Sequence, residues 1–222
     1  MLADIEVVHV LAAGLLAYTS YAAVVATVTG VRMRRLTRDS GPDTAYVALC
    51  ASHGWTYASR DEGLPARFQM MPTRMDSAVP EPKAVNVVTG TYAGLAFLSY
   101  EHRSFERERL VQGLYRYRTE SLHLVGFDLE HLHPWLHLQP RRRSDSFERA
   151  YAVETTRTSF SRAVLHDEMR DHLLRSRARY QFDGTWLVMV VDGPARPDDL
   201  EPRLADLTAF LDLVPDHLLN RY

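Results

Sequence analysis

Polar and apolar positions divide the first forty residues into an acidic start, an apolar run and a basic stop. Val10 to Val31 holds 22 residues without a charge, and a helix rising about 1.5 Å per residue would carry it roughly 33 Å, a bilayer thickness. Asp4 and Glu6 precede the run, whereas Arg32, Arg34, Arg35 and Arg38 follow it. This predicts a single transmembrane anchor within residues 1–36, lying in the plasma membrane with its N-terminus outside and the remaining chain in the cytoplasm. A cleaved signal peptide would begin basic and carry a shorter apolar stretch. Ala22, Ala26 and Gly30 recur every four residues on one helix face, small enough for a second helix to approach closely. They are predicted contacts with a partner or a second copy of the chain.

Residues 37–43, with Gly41 and Pro42, read as a linker, and residues 44–222 as one cytosolic domain. Asp43 can cap a short helix stopped at Gly54, with Tyr46, Leu49, Cys50 and His53 at helical spacing. A first strand is expected at "WTYAS". The proline-bearing stretch from Asp61 to Pro82 is an irregular connection whose Arg67, Phe68, Met70 and Met71 should bring it against a sheet.

From Ala84 the period changes to two. "AVNVVTGTYAGLAFLSYEH" predicts a hairpin turning at Ala93-Gly94. "LYRYRTESLHLVGFDL" and "WLHLQ" add two strands, giving an antiparallel sheet of at least four. "SFERAYAVET" reads as a strand entering a helix near Thr156 or Thr158, with Phe160, Val164, Met169 and Leu173 on one helical stripe. "YQFDGTWLVMVVDG" predicts a hairpin with Asp183-Gly184 at its turn. A last helix, opened by Pro197 and closed by Pro215, places Leu200, Leu204, Leu207, Leu211 and Val214 on one stripe. The expected class is α+β: an antiparallel sheet with helices packed on one face, following the membrane helix.

At 222 residues the chain can build one full core beside an anchor. Its formal net charge of −2, with Lys83 the single lysine, lacks the basic excess of a nucleic-acid-binding domain, and no nucleic-acid partner is expected. Cys50 is the only cysteine, so neither an internal disulfide nor a cysteine-rich zinc module can form, and its apolar helix face makes it structural. Phosphate-binding glycine loops, the Gly-x-Ser-x-Gly elbow and the His-Glu-x-x-His helix are missing from the sequence. No catalytic residues and no cofactor are therefore predicted.

The nearest approach to visible chemistry is "FDLEHLHPWLHLQPRRR", Phe127 to Arg143. If extended, it places His131, His133, Trp135 and His137 on one side and Leu132, Leu136 and Leu138 on the other. Neutral imidazoles suit zinc or copper, but residues 131 and 137 stand about 20 Å apart on a straight strand at roughly 3.3 Å per residue. The metal reading thus narrows to His131 and His133 with Asp128 or Glu130, completed by His53 or His123 from elsewhere. The alternative is a contact patch for a partner, made of His131, His133, Trp135 and His137. Glu168 and His172, four apart, form a further but commonplace helix pair. Arg32, Arg34, Arg35 and Arg38, with the basic turn Arg141 to Arg143, are placed to meet anionic lipid head groups.

The succession of membrane helix and basic stop, "GWTYASRDEGLPARF", "NVVTGTYAGLAFLSYEH", "HPWLHLQP", "FERAYAVETTRTSFSRAVLHDEM" and "LADLTAFLDLVP" resembles a family of uncharacterised actinobacterial membrane-anchored proteins, over most of the chain. The resemblance implies a cytosolic α+β domain on a single-pass anchor and brings no catalytic residues. It also implies that the histidines are peculiar to this chain: the positions of His131 and His133 tend to hold Leu, Pro or Ala in that family, and that of His137 a Glu or another polar residue. The reading these features favour is a non-enzymatic protein whose domain binds a partner, as an accessory or scaffold subunit of a membrane complex, or as a homo-oligomer through the anchor. A metal-binding module or metal-dependent hydrolase, and an anionic-lipid sensor, are the alternatives.

Overall fold

A computed structural model describes residues 41–68, 81–111, 114–141 and 144–219. The predicted membrane helix with Ala22, Ala26 and Gly30, the basic stop Arg32 to Arg38, Met70 and Met71, and Arg142 and Arg143 lie outside the described residues. Among the described residues, no helix is long and apolar enough to cross a membrane. The chain divides into two compact units, and the larger holds residues 41–105 and everything described from residue 120 onward. The described part of the smaller unit is 106–111 and 114–119.

The fold is α+β, built on an eight-stranded antiparallel sheet. The strands are β1 (Thr56–Asp61), β2 (Lys83–Tyr92), β3 (Leu95–Val111), β4 (Leu114–Asp128), β5 (Leu136–Pro140), β6 (Tyr151–Thr155), β7 (Arg179–Asp183) and β8 (Trp186–Asp192). Their order across the sheet is β1-β2-β3-β4-β8-β7-β5-β6. Helices α1 (Thr44–His53), α2 (Phe147–Ala150), α3 (Thr158–Val164), α4 (Asp167–Ser176), α5 (Pro197–Asp212) and α6 (Asp216–Leu219), with a single 3-10 turn at Leu64–Ala66, complete the described elements.

Local chemistry explains the boundaries. The Asp43 carboxylate accepts from the Ala45 amide at 2.9 Å and starts α1, and Gly54 ends it in the left-handed region. The β2–β3 turn is Ala93-Gly94, both at positive φ, the geometry that matches strand twist. In the second hairpin Asp183 still pairs with Trp186, so the turn is Gly184-Thr185, one residue later than the sequence suggests. Only Gly184 there takes positive φ, at 64°, as a type II′ turn requires. Within β2, Asn86 sits at φ 53° where the register slips between Val85 and Val88, and its amide oxygen accepts from the Tyr57 hydroxyl at 3.1 Å.

The single helical stripe expected from Phe160 to Leu173 is broken into α3 and α4 at Leu165-His166. His166 is extended and its Nε2 lies 2.8 Å from the Leu213 carbonyl. No proline or glycine marks the break, so periodicity runs through it unannounced. In α5, Phe210 rather than Leu211 joins Leu200, Leu204 and Leu207 in the core.

The main core joins one sheet face to the helices: Val125 and Phe127 of β4, Leu187 and Met189 of β8, Tyr180 and Phe182 of β7, and Leu136 and Leu138 of β5 meet Tyr46, Cys50, Phe160, Met169, Leu173, Leu204 and Phe210. The opposite face has its own cluster, in which Leu64 and Phe68 cover Val87, Leu98, Tyr100, Leu124, Val188 and Val190. The irregular connection after β1 thus lies against the sheet as far as it is described. Gly90 exists for packing, since a Cβ there would run into the Trp55 ring.

Leu187 is fully buried, so Leu187→Ala should cost about 3 kcal/mol of unfolding free energy. Leu132, 66% exposed, should change it by less than about 0.5 kcal/mol when made alanine. Urea unfolding of the full chain in detergent, followed by tryptophan fluorescence, compares the two.

Candidate interaction site

The histidine-rich stretch does not continue as a strand. After β4 ends at Asp128 the chain turns sharply: the Asp128 carboxylate accepts from the Glu130 amide at 3.1 Å, Glu130 takes φ 64°, and the His131 amide donates to the Leu129 carbonyl at 2.7 Å. The Leu129 and His133 amides are then tied to the carbonyls of Thr185 and Gly184 in the neighbouring hairpin turn. This re-aims the side chains. Leu132 points to solvent, where alternation had put it in the core, and His133 is buried, where alternation had put it outside.

The three imidazoles therefore occupy three environments. His131 is exposed. His133 stands 5.6 Å from the Phe182 ring and 6.5 Å from that of Phe160, on the helix side of the sheet. Burial lowers its pKa, with neighbouring His131 adding to the effect, and the Leu218 backbone opposes the shift without reaching hydrogen-bond geometry. His137 lies in β5, on the opposite sheet face from Leu136 and Leu138. Among the described residues no three His, Cys, Asp or Glu side chains converge as a metal would require. His53 stacks on Trp55 at 4.3 Å and pairs with Glu201 at 3.0 Å. Glu168 is exposed, while His172 turns inward to the Tyr180 hydroxyl, 3.3 Å away.

His123 has a different partner, one that the separate strand patterns did not reveal. Its Nε2 is 2.8 Å from Ser99 Oγ, the two side chains meeting from β4 and β3. Glu101 follows on the same face of β3 and accepts from Ser121 Oγ at 2.8 Å and from Arg103 Nε at 2.6 Å. A serine, a histidine and a carboxylate so close together invite comparison with a catalytic triad, but the roles do not connect. In a triad the acid orients the base through its second nitrogen. Here His123 Nδ1 has no hydrogen-bond partner, and Glu101 is engaged elsewhere. Ser99 and His123 are also 1% and 0% exposed, so no substrate reaches them. The cluster closes the polar side of a packed interior.

Besides the exposed His131, what remains partly accessible from the predicted contact patch is Trp135 with His137. Their rings lie 6.0 Å apart, and both residues are half-buried. Cross-strand register places Glu154 of β6 and Gln181 of β7 directly beside His137. Trp135 Nε1, His137 Nε2 and Gln181 Oε1 all lack a hydrogen-bond partner in the structure. Burial holds the His137 pKa below its ordinary value against the opposing charge of Glu154. On this sheet face, away from the helices, the three polar atoms are themselves shielded from solvent and Gln181 is buried, while the Trp135 and His137 side chains are half-buried.

No protein-family model matches the chain, and neither does any curated protein. Among solved structures, the crystal structure of the mycobacterial trehalose monomycolate transport factor A, TtfA, is similar, with a TM-score of 0.53 and 15% identity over 77% of this chain and 92% of that one. At this identity the likeness is one of fold.

Two outcomes are expected. Burial holds His102 at about 4 and His123 at about 3, with Arg203 adding to the depression at His123, while the ordinary value is 6.5. The unfolded chain therefore binds these protons first as pH falls, and their contribution to stability is complete above pH 6.5 and lost on descending to about pH 3. Unfolding midpoints measured down this range should decline, with a shallower slope in His123→Gln. Elemental analysis of protein never exposed to chelator should find zinc, copper and iron well below one equivalent, because His131 is exposed while His133 is buried, and among the described residues no third ligand converges with them.

Proposed function

We propose that this chain is a membrane-anchored, non-enzymatic accessory or scaffold subunit of a membrane complex, whose α+β domain binds a protein partner. The observation that carries this reading is the likeness of fold, across 77% of this chain and 92% of the other, to a protein described as a transport factor. The closed Ser99–His123 pair agrees with it, since the arrangement most like an active site is sealed from solvent. On this reading the apolar run Val10 to Val31 is the anchor, and Ala22, Ala26 and Gly30 pack against a transmembrane partner or a second copy. Arg32, Arg34, Arg35 and Arg38 sit at anionic head groups on the cytoplasmic side. Trp135 and His137 contribute the contact of the domain itself, as aromatic groups with a polar edge do at interfaces.

The test is site-specific photocrosslinking in intact membranes of the native host, with a benzophenone side chain at position 26 or position 135. Both positions should capture the same membrane protein in stoichiometric amounts, and a Trp135→Ala, His137→Ala double variant should lower recovery from position 26 by at least about tenfold if these anchors behave as interface hot spots. Detergent extraction that returns only the monomer, with no reproducible crosslink at either position, would refute the reading.

A further inference from the structure

Beside the edge strand β6, where α2, α3 and α4 meet, the surface opens into a groove of ≈ 480 Å³. That volume is within the range of about 300–1,000 Å³ typical of small-molecule sites. Phe147, Tyr151 and Leu165, all buried, make its apolar floor, and the first two rings are stacked at 5.4 Å. Arg141, Arg162 and Arg170 stand around it with a single carboxylate, Glu148.

The three arginines are held in different ways. Arg170 is fixed: its Nε donates to the Leu165 carbonyl at 2.9 Å, its Nη1 approaches Glu148 Oε1 at 3.4 Å, and its guanidinium lies 5.5 Å from the Phe147 ring centre. Arg141 is placed by its backbone, whose amide donates to the Ala150 carbonyl at 2.8 Å. Arg162 projects from the last turn of α3. The side chains of Arg141 and Arg162 are exposed and make no ion pair with any carboxylate among the described residues. With Arg170 already serving the only acid in the lining, two forked donor groups remain for an incoming anion. Guanidinium groups suit tetrahedral oxyanions, which they can grip through paired hydrogen bonds.

We propose that this groove binds a phosphate-type anion carrying an apolar substituent: the anion sits between Arg141 and Arg162, and the substituent lies over Phe147, Tyr151 and Leu165. A soluble organic phosphate and the head group of a membrane phospholipid share this chemistry. The site is separate from the Trp135 and His137 surface and does not depend on the function proposed above.

The experiment titrates hexyl phosphate into the full chain in lipid nanodiscs, read by isothermal calorimetry. Wild-type protein should bind it, and Arg162→Glu and Arg141→Glu should each weaken binding at least about tenfold through lost charge-assisted hydrogen bonds. Arg162→Lys, which keeps the charge without the fork, should lose less. Arg149→Glu, exposed and outside the groove, should bind as wild type. If hexyl phosphate binds less well in nanodiscs containing phosphatidylglycerol than in neutral ones, the natural anion is a lipid head group; equal binding in both assigns a soluble phosphate. The proposal is overturned if hexyl phosphate does not bind, if neither charge reversal alters its binding, or if a glutamate-rich peptide displaces it at lower concentration, which would make the groove a peptide site.

Discussion

Strand β8 is apolar on both faces, and the remaining architecture follows from that. Leu187 and Met189 point to one side, Val188 and Val190 to the other, and none is more than 2% exposed. Burying such side chains stabilises the fold by about 1.5–3 kcal/mol each relative to exposure, but only if both faces are covered. On one side the helices supply the cover, through Met169 and Leu173 of α4 and Leu204, Leu207 and Phe210 of α5. On the other side the work falls to a short irregular segment, where Leu64 and Phe68 shield Val188 and Val190, and Arg67 lies over Trp186 at 4.6 Å. A connection that resembles a loop by composition is thus a structural layer.

The helix side also had to accommodate polar groups, and it pairs several of them, although both nitrogens of His133 and the Tyr46 hydroxyl stay without a partner. Tyr180 stacks on Phe210 at 4.3 Å while its hydroxyl donates to Asp206 at 2.9 Å, joining β7 to α5 through both an apolar face and a polar tip. The Tyr151 hydroxyl lies within hydrogen-bond distance of the carbonyls of Leu173 and Ala178, where α4 runs out towards β7. Ser99 with His123, and Ser121 with Glu101, follow the same logic between β3 and β4. Removing one member of such a pair would strand the other in a dry environment, at a cost of roughly 1–3 kcal/mol. Selection for a closed interior can therefore place a serine against a histidine without any reaction to perform.

Much of this fold was legible from periodicity. Alternation located every strand from β1 to β5, the Asp43 cap and the Gly54 stop bounded α1, and the prolines at 197 and 215 framed α5. The failures share a cause, which is that tertiary hydrogen bonds are invisible to local pattern. The Gly184 carbonyl captures the His133 amide and so reverses which of Leu132 and His133 faces the core. The Leu213 carbonyl meets His166 at the break between α3 and α4. Strand order was equally hidden, so the juxtaposition of Ser99 and His123, or of His137 with Gln181 and Glu154, could not be read from the separate segments. The groove beside β6 draws residues from five successive stretches, only one of which, the basic turn at Arg141, stands out in the sequence.

The order of strands has a consequence in time. Strands β1 to β4 neighbour one another in the order of the chain, so each finds its partner as soon as it is made. The next neighbour of β4 in space is β8, which comes last, after β5, β6 and β7 have been made. Until β8 arrives, the free edge of β4 presents Leu124, Val125 and Phe127 with unpaired backbone groups, an open template for another chain. Pairings so distant in sequence close slowly, because loop entropy must be overcome before contacts reward it. The interval during synthesis between β4 and β8 is then when this protein is most exposed to mispairing, and closure of that seam is the event that commits it to its native state.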